Sequence, residues 1–166
     1  MEKDARMFDI VKKAIDEFNP YGLLPEAPSN EFDSESRKIA EQISINSTVE
    51  QIAEIIGKVL SRAFDIKFEV NECMTTAENI NMSINGYIRK MILNALEDEE
   101  QTIYHIDYYM KLNNVECDRD VLKAHLNQLL FENTVKFYDV PLDKSITFEN
   151  SPEEFIEDFW FILTQK

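Results

Sequence analysis

Glycine is scarce in this chain, with three among 166 residues, at positions 22, 57 and 86. A loop that cradles phosphate needs glycines close together, because the backbone must approach the anion unobstructed. Gly57-Lys58 lacks both the earlier glycine and the following Ser or Thr of such a loop. Gly57 is therefore expected at a close helix contact. Histidine and cysteine are scarcer still, at two each. His105 and His125 form no His-x-x-x-His pair, and Cys73 and Cys117 form no Cys-x-x-Cys pair. Structural zinc and a disulfide-stapled secreted domain are both excluded on that ground. Asp139, Asp143 and Glu149 invite comparison with a calcium loop, but Lys144 stands where the sharp turn wants Gly and Asn150 where it wants Glu. These acids are expected in a solvated turn. No metal and no cofactor is expected.

Long apolar runs are missing as well. None approaches the roughly 20 residues that span a bilayer. The first thirteen residues include Glu2, Lys3, Asp4, Arg6, Asp9, Lys12 and Lys13, which fits no signal peptide. The expectation is a cytoplasmic protein with reduced thiols and no membrane contact. Cys73 falls on an apolar helix face and is expected to be an inert core thiol. Cys117 precedes a helix start, which favours a thiolate, but Glu116, Asp118 and Asp120 oppose ionisation there.

Basic residues are the last shortage. Lys and Arg total 17 against 32 Asp and Glu, a net charge of −15. The excess is spread evenly: residues 1–82 hold 16 acids and 9 bases (net −7), and residues 83–166 hold 16 acids and 8 bases (net −8). Nucleic acid repels such a surface, whereas a basic protein is drawn to it. Acidity also aids solubility alone, and both readings stay open.

What is present is helical periodicity. Apolar residues make up 44% of the chain and aromatics 11%, which is enough for a core. Met7, Val11, Ala14, Ile15 and Phe18 predict an amphipathic helix over 3–18. Asn19-Pro20-Tyr21-Gly22 stops it. Asp33 or Ser34 is placed to cap a short second helix that ends near residue 43. Ser47 to Glu50 reads as a capping box. It opens a helix that carries Ile52, Ile56, Val59 and Leu60 inward. A further helix is expected over 71–80.

A new helix is expected from Ser83, with Ile84, Ile88 and Ile92 inside. A polar turn over 98–101 precedes a helix over 102–112, and Asp118 caps the next. Val135 to Tyr138 alternates like a strand, and 145–148 could return as its hairpin partner. Ser151-Pro152-Glu153-Glu154 combines a capping box with Pro at the first helical position. The helix it opens would be apolar on nearly every side. It must be buried, either between the two halves or across a homodimer. The fold expected is mainly α: an N-terminal helical bundle over 1–82, then a winged-helix-like unit over 83–166 with one short β-hairpin and a C-terminal helix.

A family resemblance rests on Ile10, Val11 and Ile15, on Phe18-Asn19-Pro20-Tyr21-Gly22-Leu23-Leu24, and on Pro28 to Glu35. Over roughly residues 8–80 the chain resembles the YugE-like bacterial domain of unknown function. That family shows Trp-Asp-Pro where this chain has Phe18-Asn19-Pro20, and Asp-Glu-Tyr-Asp where it has Asn30-Glu31-Phe32-Asp33. The resemblance implies a compact all-helical unit and no particular activity. The second half resembles no family.

With no catalytic motif, binding is the expected function. Tyr104 and Tyr108 are four apart on one helix face, beside Asp107 and after Glu99 and Glu100. Rigid rings among acids suit a basic protein partner; alternatively these rings pack against the first half. Tyr21, Glu31 and Asp33 are a second candidate, or they only fix a turn. The leading expectation is an inhibitor or immunity protein that neutralises a basic nucleic-acid-acting protein such as a nuclease toxin, without contacting nucleic acid directly. The alternatives are a regulatory adaptor that uses a winged-helix-like interaction domain, and an enzyme with unrecognised carboxylate chemistry.

Overall fold

Helices carry most of the described chain. The computed structural model describes residues 2–139, 144–146 and 160–164, with side chains over 5–138 and 160–164. Two compact units are distinguished, Met1–Asn85 and Gly86–Lys166.

In the first unit, α1 (Glu2–Phe18) leads through a single 3-10 turn (Pro20–Gly22) to α2 (Asp33–Ala40) and α3 (Val49–Phe64), followed by the start of α4 (Val70–Ala95). α1 packs on α2, and α2 on α3. Val11, Ile15, Phe32, Ile39, Ile52, Ile56, Leu60 and Ile80 are fully buried. Each such side chain contributes on the order of 1.5–3 kcal/mol relative to exposure.

The link after α1 is held by side chains. Asn19 has φ +45°, Tyr21 +69° and Gly22 +62°, a left-handed region that Asn and Gly tolerate best. The Asn19 carboxamide closes the bend. Its Nδ2 donates to the Leu24 carbonyl and its Oδ1 accepts from the Leu24 amide, both at 3.0 Å. Tyr21 lies 5.1 Å from Phe64 and 6.0 Å from Phe68 between ring centres. Phe18 meets Phe68, and Phe32 meets Phe64. Lys12 reaches across from α1: its Nζ is 2.7 Å from Asp33 and 3.0 Å from Asp16. It also donates to the Ser29 carbonyl at 2.8 Å.

Three local expectations are corrected in this unit. The N-cap position of α2 is Phe32, with no side-chain cap; Asp33 lies inside the first turn, where its charge favours the helix N-terminus. The capping box of α3 sits one residue later than expected. Thr48 accepts from the Gln51 amide at 3.3 Å, and the Gln51 carboxamide accepts from the Thr48 amide at 2.9 Å. Ser47 instead accepts from the Ser44 amide. The helices expected over 71–80 and from Ser83 are one helix, α4. Ile80, Ile84, Ile88 and Ile92 recur every four residues and are all buried, so the helical period runs unbroken through a weakly helix-forming Asn-rich stretch. Gly57 is a close contact, as expected: a Cβ there would stand 3.2 Å from the Phe68 carbonyl oxygen and 3.7 Å from the Cys73 sulfur.

The second unit continues with β1 (Gln101–Thr102), α5 (Ile103–Leu112), α6 (Arg119–Phe131), β2 (Val135–Asp139), β3 (Lys144–Ile146) and β4 (Trp160–Leu163). These strands form one antiparallel sheet in the order β1-β4-β2-β3. Ile103, Ile106 and Met110 of α5 and Leu122, Leu126 and Leu129 of α6 are fully buried. The expected hairpin is present as β2 paired with β3 through Phe137↔Ile146.

The expected C-terminal helix is overturned at its apolar end. Trp160–Leu163 is β4, between β1 and β2, with Phe161 opposite Phe137 and fully buried. Their ring centres lie 5.3 Å apart. A run apolar on every face suits a strand covered on both sides as well as a buried helix, and cross-strand pairing with Val135 to Tyr138 decides for the strand. The all-apolar helical face proposed for a homodimer contact is therefore not formed there. The capping box at Ser151 and the acids Asp143 and Glu149 lie outside the described residues.

Replacing Asn19 by Ala should remove both carboxamide bonds and the left-handed preference. The expected loss is roughly 1–3 kcal/mol in urea unfolding. Asn19→Asp keeps the acceptor and should lose less. Equal stability of all three proteins would refute the pinning role given to Asn19.

Candidate protein-interaction surface

Thr102 starts α5: its hydroxyl accepts from the His105 amide at 3.4 Å and lies 3.2 Å from His105 Nδ1. With Ile103, Ile106 and Met110 turned inward, helical geometry sets Tyr104 and Tyr108 on another face. Both are exposed, at 52% and 63%. Leu112, four residues further on and 64% exposed, extends the same row. Three large apolar side chains at i, i+4 and i+8 form a stripe that spans about 12 Å of helix. Leu112 was missed from the sequence, although adding one more step of four to the tyrosine pair reaches it. Phe131, 89% exposed in the last turn of α6, was missed as well.

Asp107 plays a different part from the one expected. Its carboxylate holds Lys111 at 2.8 Å and Arg119 at 3.7 Å. The same Arg119 guanidinium lies 4.3 Å above the Tyr104 ring, a cation–π arrangement. α6 thus lends α5 a cation that steadies Tyr104. Around the stripe, residues 97–120 contain eight acids and two bases, a net of −6. Glu97, Asp98 and Glu99 are exposed before α5, and Glu116, Asp118 and Asp120 after it. Glu100 is half-buried. Glu99 accepts from the Gln101 side chain at 3.1 Å.

Tyr21, Glu31 and Asp33 belong to the first unit. Tyr21 is 52% exposed while it rests on Phe64 and Phe68. Asp33 is engaged by Lys12, and Glu31 is exposed. A shallow depression of about 460 Å³ along α1 is lined by Asp9, Lys12, Lys13, Asp16 and Glu17. These side chains come from one helix and set no acid–base pair apart.

Both thiols are protonated at neutral pH. Burial, and then Glu72, pushes Cys73 up to about 11. Burial, then Asp118 and Asp107, pushes Cys117 up to about 11. Among the described residues no three His, Cys, Asp or Glu side chains converge to hold a metal ion, and no helix is long and apolar enough to cross a membrane. On α6, burial and the nearby Arg89 lower the pKa of His125. Arg89 itself is paired with Glu132, which also accepts from Gln128 at 3.0 Å. The hydrogen bond from Arg89 lowers the Glu132 pKa.

The lowered His125 pKa sets a pH dependence. Unfolded chains take up the imidazole proton first as pH falls below about 6.5, so stability drops there and the loss levels off below the folded pKa. His125→Gln should therefore lose less Tm than wild type between pH 7.5 and pH 5.5. An equal fall in both proteins would show that His125 is not held neutral.

Compared with profiles of known families, with curated proteins and with solved structures, the chain matches none.

Proposed function

We propose that the protein binds a basic protein partner and acts by occupancy, not by catalysis. The exposed row Tyr104, Tyr108 and Leu112, set in a stretch of net charge −6, carries this reading. Tyr offers rigid contact area with little entropy to lose, and surrounding acids steer a positive partner into register. Exposed apolar residues arranged in a row mark interaction surfaces more often than scattered ones do.

The concrete form is an inhibitor or immunity protein that covers the positive cleft of a nucleic-acid-acting protein such as a nuclease toxin. Two observations support leaving nucleic acid itself to the partner. The net charge is −15, and on and beside α6 the cations Arg119 and Arg89 already face Asp107 and Glu132. Few positive groups remain there to neutralise phosphates.

A second reading is a regulatory adaptor whose second unit is winged-helix-like. The element order helix, short strand, two helices, then strands supports it, as does the pairing of β1 with the last strand, β4. Such a unit can serve protein contacts, since fold alone does not fix function.

The two readings part under salt and charge reversal. The tagged chain, incubated with host extract, should retain a basic polypeptide. Once purified, that polypeptide should lose affinity about tenfold or more between 50 and 300 mM salt, because exposed charges are screened. The double substitution Glu99→Lys, Glu100→Lys should weaken it further, and an equimolar amount of the wild-type chain should stop the partner's action on nucleic acid. A neutral partner whose binding ignores both salt and charge reversal would overturn the acidic-inhibitor reading and favour the adaptor.

A further inference from the structure

The chemistry of α5 goes beyond a general attraction for positive charge. From the geometry we infer that the α5 stripe receives an amphipathic basic helix of the partner, laid along Tyr104, Tyr108 and Leu112 with cationic residues at both of its ends. This inference rests on the binding reading above and names the element that binds.

Three observations select that occupant. First, the row is spaced i, i+4, i+8 on a helix. Ridges of that spacing fit the grooves of another helix, and recognition of a helix reads anchors at the same spacing. An added β-strand would instead need unpaired backbone donors and acceptors, which the middle of a helix does not offer. Second, exposed acids stand at both ends of the row and not at its centre: Glu97, Asp98 and Glu99 before it, and Glu116, Asp118 and Asp120 after it. A partner with an apolar middle and cationic ends matches that order, and a uniformly cationic strand does not. Third, the central acid, Asp107, is already held by Lys111 and Arg119. The middle of the row therefore asks for apolar contact, while its ends ask for positive charge. Arg119 also fixes the Tyr104 ring from one side, so that ring is oriented before binding and less entropy is lost on contact. A second copy of this chain is a poor occupant, because it brings the same −15 charge to the same acidic surface.

The test uses the full chain and a labelled 18-residue peptide with Leu repeating at helical spacing and two Arg at each end. One control scrambles the same residues so that no apolar face forms. A second is a run of nine arginines. Binding is read by anisotropy. The amphipathic peptide should bind at least about tenfold tighter than either control, a gap of 1.4 kcal/mol or more. Leu112→Glu should reduce its affinity by a similar factor. That variant adds a negative charge, so a purely electrostatic contact would strengthen; and Leu112 is exposed, so the fold should survive, as circular dichroism would check. Equal binding of all three peptides would overturn the helix-docking inference and leave the broader reading standing. Binding of the amphipathic peptide that Leu112→Glu leaves unchanged would place the contact elsewhere and overturn it too. If none of the peptides binds, the inference also falls, and the broader reading is then judged by its own salt-dependent capture.

Discussion

A chain with 32 carboxylates and 17 cations cannot pair every acid, and where its cations go shapes much of the rest. Lys12 joins α1 to the start of α2 through Asp33 and to the preceding loop through the Ser29 carbonyl. Arg89 joins α4 to the end of α6 through Glu132. Lys111 and Arg119 meet on Asp107, which ties α5 to α6. Exposed pairs of this kind each contribute little, typically under about 1 kcal/mol. Their value here is positional: they join elements that the apolar core already brings close. What remains on the surface is an acid excess with few positive charges to soften it, and that excess makes a basic partner the economical one.

Most helices were legible because burial follows the helical period. α1, α3, α5 and α6 each place their inner residues three and four apart, and those residues are buried. α4 was misread as two helices because Asn79, Asn81, Ser83 and Asn85 are poor helix formers. Yet Ile80, Ile84, Ile88 and Ile92 never leave one stripe, and packing of that stripe outweighs the weak propensity between them. The capping box of α3 was displaced by one because Ser47 and Thr48 are both competent caps. Glu50 and Gln51 are both competent partners, so local chemistry alone could not choose between the registers.

β4 was not legible for a different reason. A capping box and Pro152 point to a helix, and the apolar run that follows has no period of its own. Strand or helix is settled there by an element more than twenty residues earlier, β2, whose Val135 and Phe137 face Leu163 and Phe161. Such non-local pairing leaves no mark in the local pattern. The same holds for Asp107. From sequence it is one acid among many beside two tyrosines; only the return of α6 brings Arg119 to it, and only then does the pair stop being a free charge.

That rearrangement alters what the α5 surface can do. Had Asp107 been left open, the stripe would be tyrosine mixed with negative charge throughout, and any polycation would satisfy it. With Asp107 neutralised, polarity is sorted along the helix into acidic ends and an apolar, aromatic centre. Non-specific attraction depends on the total charge, which screening removes. Discrimination depends on the order of groups, since a partner with charge in the middle would leave it unpaired against Tyr108, at a cost in desolvation. Arg119, by holding both Tyr104 and Asp107, is thus the residue that turns an acidic surface into a selective one.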